Sequence, residues 1–212
     1  MKTSDLIDML SATVEPIHGR VWRTIVIALA AGAVVATGAM LAVLGIRPDL
    51  WDTGRLVSVG AKIAFALGIV ALASIYLNWF AHPGGERRAP VTLTMLPFVA
   101  ILALAAISVL STPSRHWQTM LLGNDWPECL LSIPLIAIVP FALLVWAMRQ
   151  MAPTDLRRAG ALTGLAAGGV SAAAYALHCN DDSLPFVALW YGGTIALCTV
   201  AGALFGPRLL RW

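Results

Sequence analysis

Six long apolar stretches run through this chain, and they limit what it can fold into. They cover residues 24–46, 58–81, 91–111, 129–148, 160–179 and 186–206. Crossing the hydrocarbon core of a bilayer takes about 20 apolar residues as a helix. Charged residues make up only 12% of the 212 residues, against about 25% in ordinary soluble domains. We therefore predict an all-α polytopic membrane protein with six transmembrane helices.

Little of the chain remains for a soluble domain. We divide it into a cytoplasmic N-terminal segment, residues 1–23, and a transmembrane bundle, residues 24–212. Lys62 lies near the start of the second apolar stretch. Long cationic side chains at such positions commonly extend along the helix, so that the charge reaches the headgroups. We expect this behaviour of Lys62.

The distribution of Lys and Arg predicts the orientation. If both termini lie on one side, that side receives ten of the fourteen cations: Lys2, Arg20, Arg23, Arg87, Arg88, Arg149, Arg157, Arg158, Arg208 and Arg211. The other side receives Arg47, Arg55, Lys62 and Arg115. Because cytoplasmic loops carry the excess of positive charge, we predict that both termini are cytoplasmic. The net charge of +3 then reflects topology, and no direct contact with nucleic acid is expected.

Small residues dominate the fifth and sixth stretches. Gly160, Gly164 and Gly168 recur every four residues in the fifth stretch. The sixth stretch contains Gly192, Gly193, Gly202 and Gly206. Such residues allow helix backbones to approach closely in a membrane. We predict that these two helices pack tightly across the short turn "NDDSLP", and the same glycine faces would permit a homodimer.

Prolines interrupt two of the other stretches. Pro97 lies in the third stretch, and Pro134 and Pro140 lie in the fourth. Proline removes a backbone donor from a helix and usually bends it. We expect bends at these three positions.

The N-terminal segment "MKTSDLIDMLSATVEPIHGRVW" has a character of its own. It contains an apolar set of Leu6, Ile7, Met9 and Leu10 and an acidic set of Asp5, Asp8 and Glu15. A helix of about three turns is not stable alone in water, so it must lie on the membrane or dock elsewhere. Membrane-surface helices usually have a basic polar face. The acidic face leaves two hypotheses, a protein partner with a basic surface or a simple anchor.

Two cysteines lie at the predicted outer boundary of the bundle. Cys129 opens the fourth helix, and Cys179 closes the fifth within "LHCNDD", which also contains His178, Asp181 and Asp182. As a redox pair, the cysteines would form a disulfide if their Cα atoms came within about 7 Å. With His178 they could instead bind a soft metal ion such as copper(I), zinc or cadmium.

The residues that could complete or orient the metal site are Asp181, Asp182, His116 and Glu128. Asp181 and Asp182 could instead form the turn and present charge to water. A third hypothesis is that Cys129 and Cys179 are two inert buried thiols. Cys198 lies within the sixth helix and is interpreted as a small packing residue.

Catalytic signatures are scarce in the sequence. It contains no C-x-x-C, no H-E-x-x-H and no P-loop. These motifs are typical of thiol oxidases, zinc proteases and nucleotide hydrolases respectively, so none of these three classes is supported. An enzymatic alternative is a small quinone-linked membrane thiol oxidoreductase that uses Cys129 and Cys179. A structural membrane subunit is a further alternative.

Three blocks of the sequence together resemble a known family. They are "TSDLIDMLSATVEPI", the cysteine-containing "WPECLLSIPL" and "HCNDDSLPFVALWYGGTIAL". With the six-helix frame, they are similar to NrsF-type proteins, membrane-embedded negative regulators of sigma F. The resemblance implies an anti-sigma factor in the bacterial inner membrane that binds an extracytoplasmic-function (ECF) sigma factor and keeps it from RNA polymerase.

The resemblance also implies roles for particular residues. Release of the sigma factor would follow oxidative or heavy-metal stress, with Cys129 and Cys179 required and with His178, Asp181 and Asp182 in the accompanying motif. The sigma factor would dock on the cytoplasmic N-terminus around Asp5, Leu6, Ile7 and Leu10. We therefore expect a regulator that senses stress on one side of the membrane and binds its partner on the other.

Overall fold

The computed structural model describes residues 18–50, 52–82, 90–151 and 153–211. These residues form helices joined by short turns, with no strand among them. The helices are α1 His18–Val43, α2 Thr53–Phe80, α3 Leu96–Leu110, α4 Trp117–Leu122, α5 Trp126–Arg149, α6 Leu156–Tyr175, α7 Leu184–Phe186 and α8 Gly192–Leu209. Short helical turns of tighter or wider pitch precede α3, α4 and α8. The predicted all-α class is confirmed.

Five helical stretches of the described residues are long and apolar enough to cross a membrane. They are Gly19–Val43, Gly54–Phe80, Val91–Leu110, Ser114–Arg149 and Leu184–Leu209. They correspond to five of the six predicted helices.

The predicted fifth helix is α6, and it differs from the other five. Its glycines and alanines give it low hydropathy, yet most of its residues are buried, among them Leu162, Ala166 and Ala172. Helices α1, α2, α5 and α8 all pack against it. The Asp155 side chain accepts a hydrogen bond from the Arg158 backbone N–H at 3.0 Å, so α6 begins at residue 156 rather than 160. It ends at Tyr175, and Cys179 therefore lies in the following turn.

Helices α6 and α8 are in direct backbone contact. A Cβ on Gly160 would overlap the carbonyl oxygen of Gly202 and would lie 2.7 Å from the Cα of Gly206. A Cβ on Gly168 would lie 3.0 Å from the Cβ of Cys198. The predicted tight packing of these two helices is confirmed, and Cys198 fills space at their contact as predicted.

The three prolines that were expected to bend helices lie at different places in their helices. Pro134 and Pro140 lie inside α5, as predicted. A Cβ on Gly32 of α1 would meet Pro140 at 3.1 Å, so α1 crosses α5 at this point. Pro97 lies in the first turn of α3, directly after the tighter helical turn Val91–Met95, and the bend expected there stays a prediction.

The prediction for Lys62 is also wrong. Helix α2 begins at Thr53, so Lys62 lies in its third turn. Its side chain is 1% exposed, and its ammonium points into the bundle instead of extending to the headgroups. The reason is a buried carboxylate, that of Asp182, which lies 2.8 Å from the Lys62 Nζ. Paired charges can remain inside a bundle where an isolated one could not.

Candidate sensor site

Cys129 and Cys179 lie at the same end of the bundle. Cys129 is in the first turn of α5, and Cys179 lies in the turn between α6 and α7. Both are fully buried, and neither forms a disulfide with a described residue. The Asp125 carboxylate accepts a hydrogen bond from the Asn180 backbone N–H at 3.0 Å, which joins the two cysteine-bearing segments. The two helix ends therefore meet, as a redox pair would require.

The thiol of Cys179 is in a dry environment. Its Sγ lies 3.7 Å from the carbonyl oxygen of Asp181. The buried hydroxyl of Tyr191 lies beside it, without a hydrogen bond of regular geometry to any described residue. Burial raises the pKa of Cys179, and the positive charge of Lys62 opposes that rise only in part. Since the thiolate is the reactive form, the structure shows the thiol in a protected state.

Three cations surround the carboxylate of Asp182. Its Oδ1 lies 3.0 Å from Arg47 Nη1 and 2.8 Å from Lys62 Nζ, and its Oδ2 lies 2.9 Å from Arg55 Nη1. Arg47 and Lys62 are buried, whereas Arg55 is 48% exposed. Burial alone would raise the pKa of Asp182, but the hydrogen bonds from Arg47 and Lys62 outweigh it and lower the pKa. Asp182 is therefore an ionised centre with only 10% of its side chain exposed, which excludes the hypothesis that it simply presents charge to water.

The two buried cations also bind the backbone of Cys179. Arg47 Nη1 donates to the carbonyl oxygen of Cys179 at 2.9 Å, and Lys62 Nζ donates to the same oxygen at 3.1 Å. The Arg47 guanidinium also forms two hydrogen bonds to Asp49, at 2.7 and 3.0 Å. The hydrogen bond from Arg47 lowers the pKa of Asp49 to about 2. We call Arg47, Lys62 and Asp182 the buried charge cluster.

Asp181 fastens a loop across this end of the bundle. Its Oδ2 accepts hydrogen bonds from the backbone N–H groups of Asn124 and Asp125, at 2.7 and 2.8 Å. Ser183 donates to the carbonyl of Met120 at 2.6 Å. Gly123 has a φ of +59° and lies so close that any Cβ there would overlap the Asp181 carboxylate. The end of α4 and the segment that follows it are thus joined to the Cys179 turn by hydrogen bonds between side chains and backbone.

Both ring nitrogens of His178 have contacts with groups other than the two thiols. Its Nδ1 lies 3.1 Å from the carbonyl oxygen of Gly45, and its Nε2 lies 3.7 Å from Glu128. Among the described residues, no group of three or more His, Cys, Asp or Glu side chains is arranged to bind a metal ion. A soft-metal site at Cys129, His178 and Cys179 would need the imidazole to leave Gly45, and it stays a prediction.

The role of the basic residues at this end was not predicted from the sequence. Arg47 and Arg55 served as signals of orientation alone, and Lys62 was expected in addition to reach the headgroups. One sequence signal could have identified Lys62, because an ionisable residue within an apolar helix is usually paired and often functional. The predicted docking residues, Asp5, Leu6, Ile7 and Leu10, lie outside the described residues.

Comparison with known proteins identifies the family. The family described as NrsF, negative regulator of sigma F, matches residues 10–212. The chain belongs to the NrsF family. Over the full length of both proteins, it is 31% identical to a probable anti-sigma-F factor NrsF from Azospira oryzae. It is 32% identical to the anti-sigma-F factor NrsF from Caulobacter vibrioides, again over the whole of both chains. No solved structure matches the chain significantly.

Membership of the NrsF family confirms the resemblance that the three sequence blocks indicated. The match extends over the helices, the two cysteines and the buried charge cluster. The NrsF family is regulatory and not enzymatic. This confirms the prediction of a regulator over that of a quinone-linked thiol oxidoreductase.

Proposed function

We propose that this protein is an anti-sigma factor that retains an ECF sigma factor at the bacterial inner membrane, with both termini in the cytoplasm. Its full-length similarity to two proteins named as anti-sigma-F factors supports this function. The five helices that are apolar enough to cross a membrane support a membrane location. Docking is assigned to the N-terminal segment around Asp5, Leu6, Ile7 and Leu10, and it excludes the sigma factor from RNA polymerase.

The stress signal acts on Cys129 and Cys179. The observation that carries this assignment is that both are free, fully buried thiols on segments joined by the Asp125–Asn180 hydrogen bond. Oxidation removes two electrons and two protons from the thiol pair and forms one S–S bond, and an oxidant of the hydroperoxide or quinone class accepts both the electrons and the protons. His178, Asp181 and Asp182 set the position of the Cys179 turn in which this change occurs.

Heavy-metal stress uses the same two thiols. A soft metal ion displaces the protons of Cys129 and Cys179 and takes the His178 imidazole as a third ligand. Thiolates and imidazole are the donors that copper(I), zinc and cadmium prefer. The imidazole has to leave the Gly45 carbonyl for this, so metal binding moves the Cys179 turn relative to the end of α1.

The size of the required signal can be stated. A shift from 99% bound to 99% released needs about 5.5 kcal/mol of differential stabilisation. For a two-electron couple, this corresponds to a difference of about 120 mV between the reduction potentials of the thiol pair in the two states. A pair of cysteines is therefore sufficient to operate the switch, provided that the two states differ in geometry at Cys179.

The cysteine assignment is tested by serine substitution. A variant with Cys129→Ser and Cys179→Ser is expected to bind the sigma factor in unstressed cells and to show no induction of the sigma-dependent genes under oxidative or cadmium stress. Induction is measured with a transcriptional reporter. Cys198→Ser is the matched control and should respond like the natural protein, because its thiol packs between α6 and α8, away from the sensor site. A normal stress response from the double variant would contradict the assignment.

A further inference from the structure

Two buried cations connect Cys179 to two different helices. Arg47 follows the end of α1, and Lys62 belongs to α2. Both donate to the Cys179 carbonyl oxygen, at 2.9 and 3.1 Å, and both contact the carboxylate of Asp182. We propose that Arg47 and Lys62 are positioning residues that transmit a change at Cys179 to α1 and α2.

A chemical change at Cys179 has to move its backbone turn. The Cys179 thiol contacts the carbonyl oxygen of Asp181, and it has no covalent bond to the thiol of Cys129. Bonding to Cys129, or sharing a metal ion with it, draws the Cys179 turn toward α5. The Cys179 carbonyl oxygen moves with its residue, and so does the neighbouring carboxylate of Asp182.

The two cations follow this movement. Their side chains are 0% and 1% exposed, so water cannot replace a lost partner. A buried charge without a partner is strongly unfavourable in a low-dielectric interior. Arg47 and Lys62 therefore keep their contacts with the carbonyl and the carboxylate, and the elements that carry them are displaced. An apolar side chain at either position would form no such contacts, so it would not be displaced with the Cys179 turn.

Helix α1 gives the displacement a route to the other side of the bundle. The residues after α1 are joined to the Cys179 turn at two further points, since the Arg47 N–H donates to Leu177 O at 3.2 Å and the His178 ring contacts Gly45 O. Helix α1 has 26 residues, which corresponds to a length of about 39 Å. Its far end is His18, and the proposed sigma-docking residues precede His18 in the chain. A shift at Cys179 is therefore carried along one continuous helix as far as His18.

Lys62→Met tests this transmission, because it keeps the length of the side chain and removes its charge. Asp182 retains Arg47 and Arg55 in this variant, so the carboxylate stays paired. We expect the variant to retain the sigma factor in unstressed cells and to undergo the same change of its thiols under stress, measured by alkylation and gel shift. Stress-induced release should fall about tenfold, a size typical of coupling between two sites.

Two further variants separate transmission from simple packing. Arg55→Gln removes a cation that contacts Asp182 but is exposed and has no hydrogen bond to Cys179 among the described residues. It should release the sigma factor as the natural protein does. Lys62→Arg restores a long cation and should recover most of the response. A merely structural role for Lys62 would not leave thiol oxidation and sigma binding intact while release is lost.

The inference rests on the proposed function, and the natural protein assayed alongside distinguishes their failures. If the natural protein does not release a sigma factor when its thiols change, the proposed function fails. If it does and Lys62→Met releases equally well, transmission through Lys62 is wrong. Arg47→Met is the second variant and carries the same expectation. If both Met variants fail to accumulate, or lose the sigma factor without stress, the two cations only stabilise the bundle and the proposal is overturned.

Discussion

Asp182→Ala is expected to destabilise the protein by about 3–5 kcal/mol, which is the usual cost of removing one partner from a buried ion pair. The substitution leaves the Lys62 ammonium, 1% exposed, without the carboxylate that lies 2.8 Å away. Arg47 is less affected because Asp49 remains bound to it. At neutral pH the full loss of folding free energy is expected. The folded pKa of Asp182 is lowered, so its contribution is complete above the ordinary carboxyl pKa of about 4 and is lost only as the pH falls through the folded value.

Thermal unfolding of the detergent-solubilised protein measures this effect. For a chain of this size, the expected loss corresponds to a decrease of about 10 °C in the melting temperature. The double variant Asp182→Ala with Lys62→Met should recover most of the stability, because replacing both members of a buried pair with apolar residues is often nearly neutral. A melting temperature of Asp182→Ala equal to that of the natural protein would show that the buried charge cluster contributes nothing.

Gly202→Ala is the second substitution with a large expected effect. Its Cβ would overlap the carbonyl oxygen of Gly160 and would lie 3.0 Å from the Cα of Gly164. Relief requires α6 and α8 to separate, and overpacking of this kind costs about 1–3 kcal/mol. Gly193→Ala on the same stretch is the matched control, since no described atom outside its own helix lies within 4 Å of a Cβ there. It should be neutral or stabilising by up to about 1 kcal/mol, because alanine is the better helix former.

Both alanine variants are compared by thermal unfolding in the same detergent, with the amount of protein in the membrane as a second measurement. A clear loss with Gly202→Ala and none with Gly193→Ala is the expected result. Equal behaviour of the two variants would mean that the α6–α8 contact is looser than its geometry indicates.

Much of the fold could be predicted because a helix that lies in lipid requires a long apolar stretch, which is easily recognised in the sequence. Five stretches have the length and hydropathy of a membrane span, and the spacing of Gly160 and Gly164 predicted the contact of α6 with α8. Local chemistry decides the details that were missed. The Asp155 side chain accepts a hydrogen bond from the Arg158 N–H, and α6 therefore begins at Leu156 rather than at residue 160.

The candidate site could be predicted only in part. The sequence identified Cys129 and Cys179 because thiols at the ends of apolar stretches are conspicuous, and the structure places both at one end of the bundle. It did not predict that Lys62 is buried against Asp182, since 120 residues separate the two and no local pattern relates them. Long-range pairing of charges depends on how helices are arranged, and periodicity along one helix carries no such information.

Capture of the partner tests the central claim most directly. The tagged protein is solubilised from unstressed cells in a mild detergent, next to a variant that lacks residues 2–15, and the bound proteins are identified by mass spectrometry. We predict that a sigma factor of the ECF class accompanies the full-length protein and is absent from the shortened one. If no sigma factor accompanies either protein, the anti-sigma function proposed here is contradicted. If both capture it equally, the docking segment lies elsewhere in the chain.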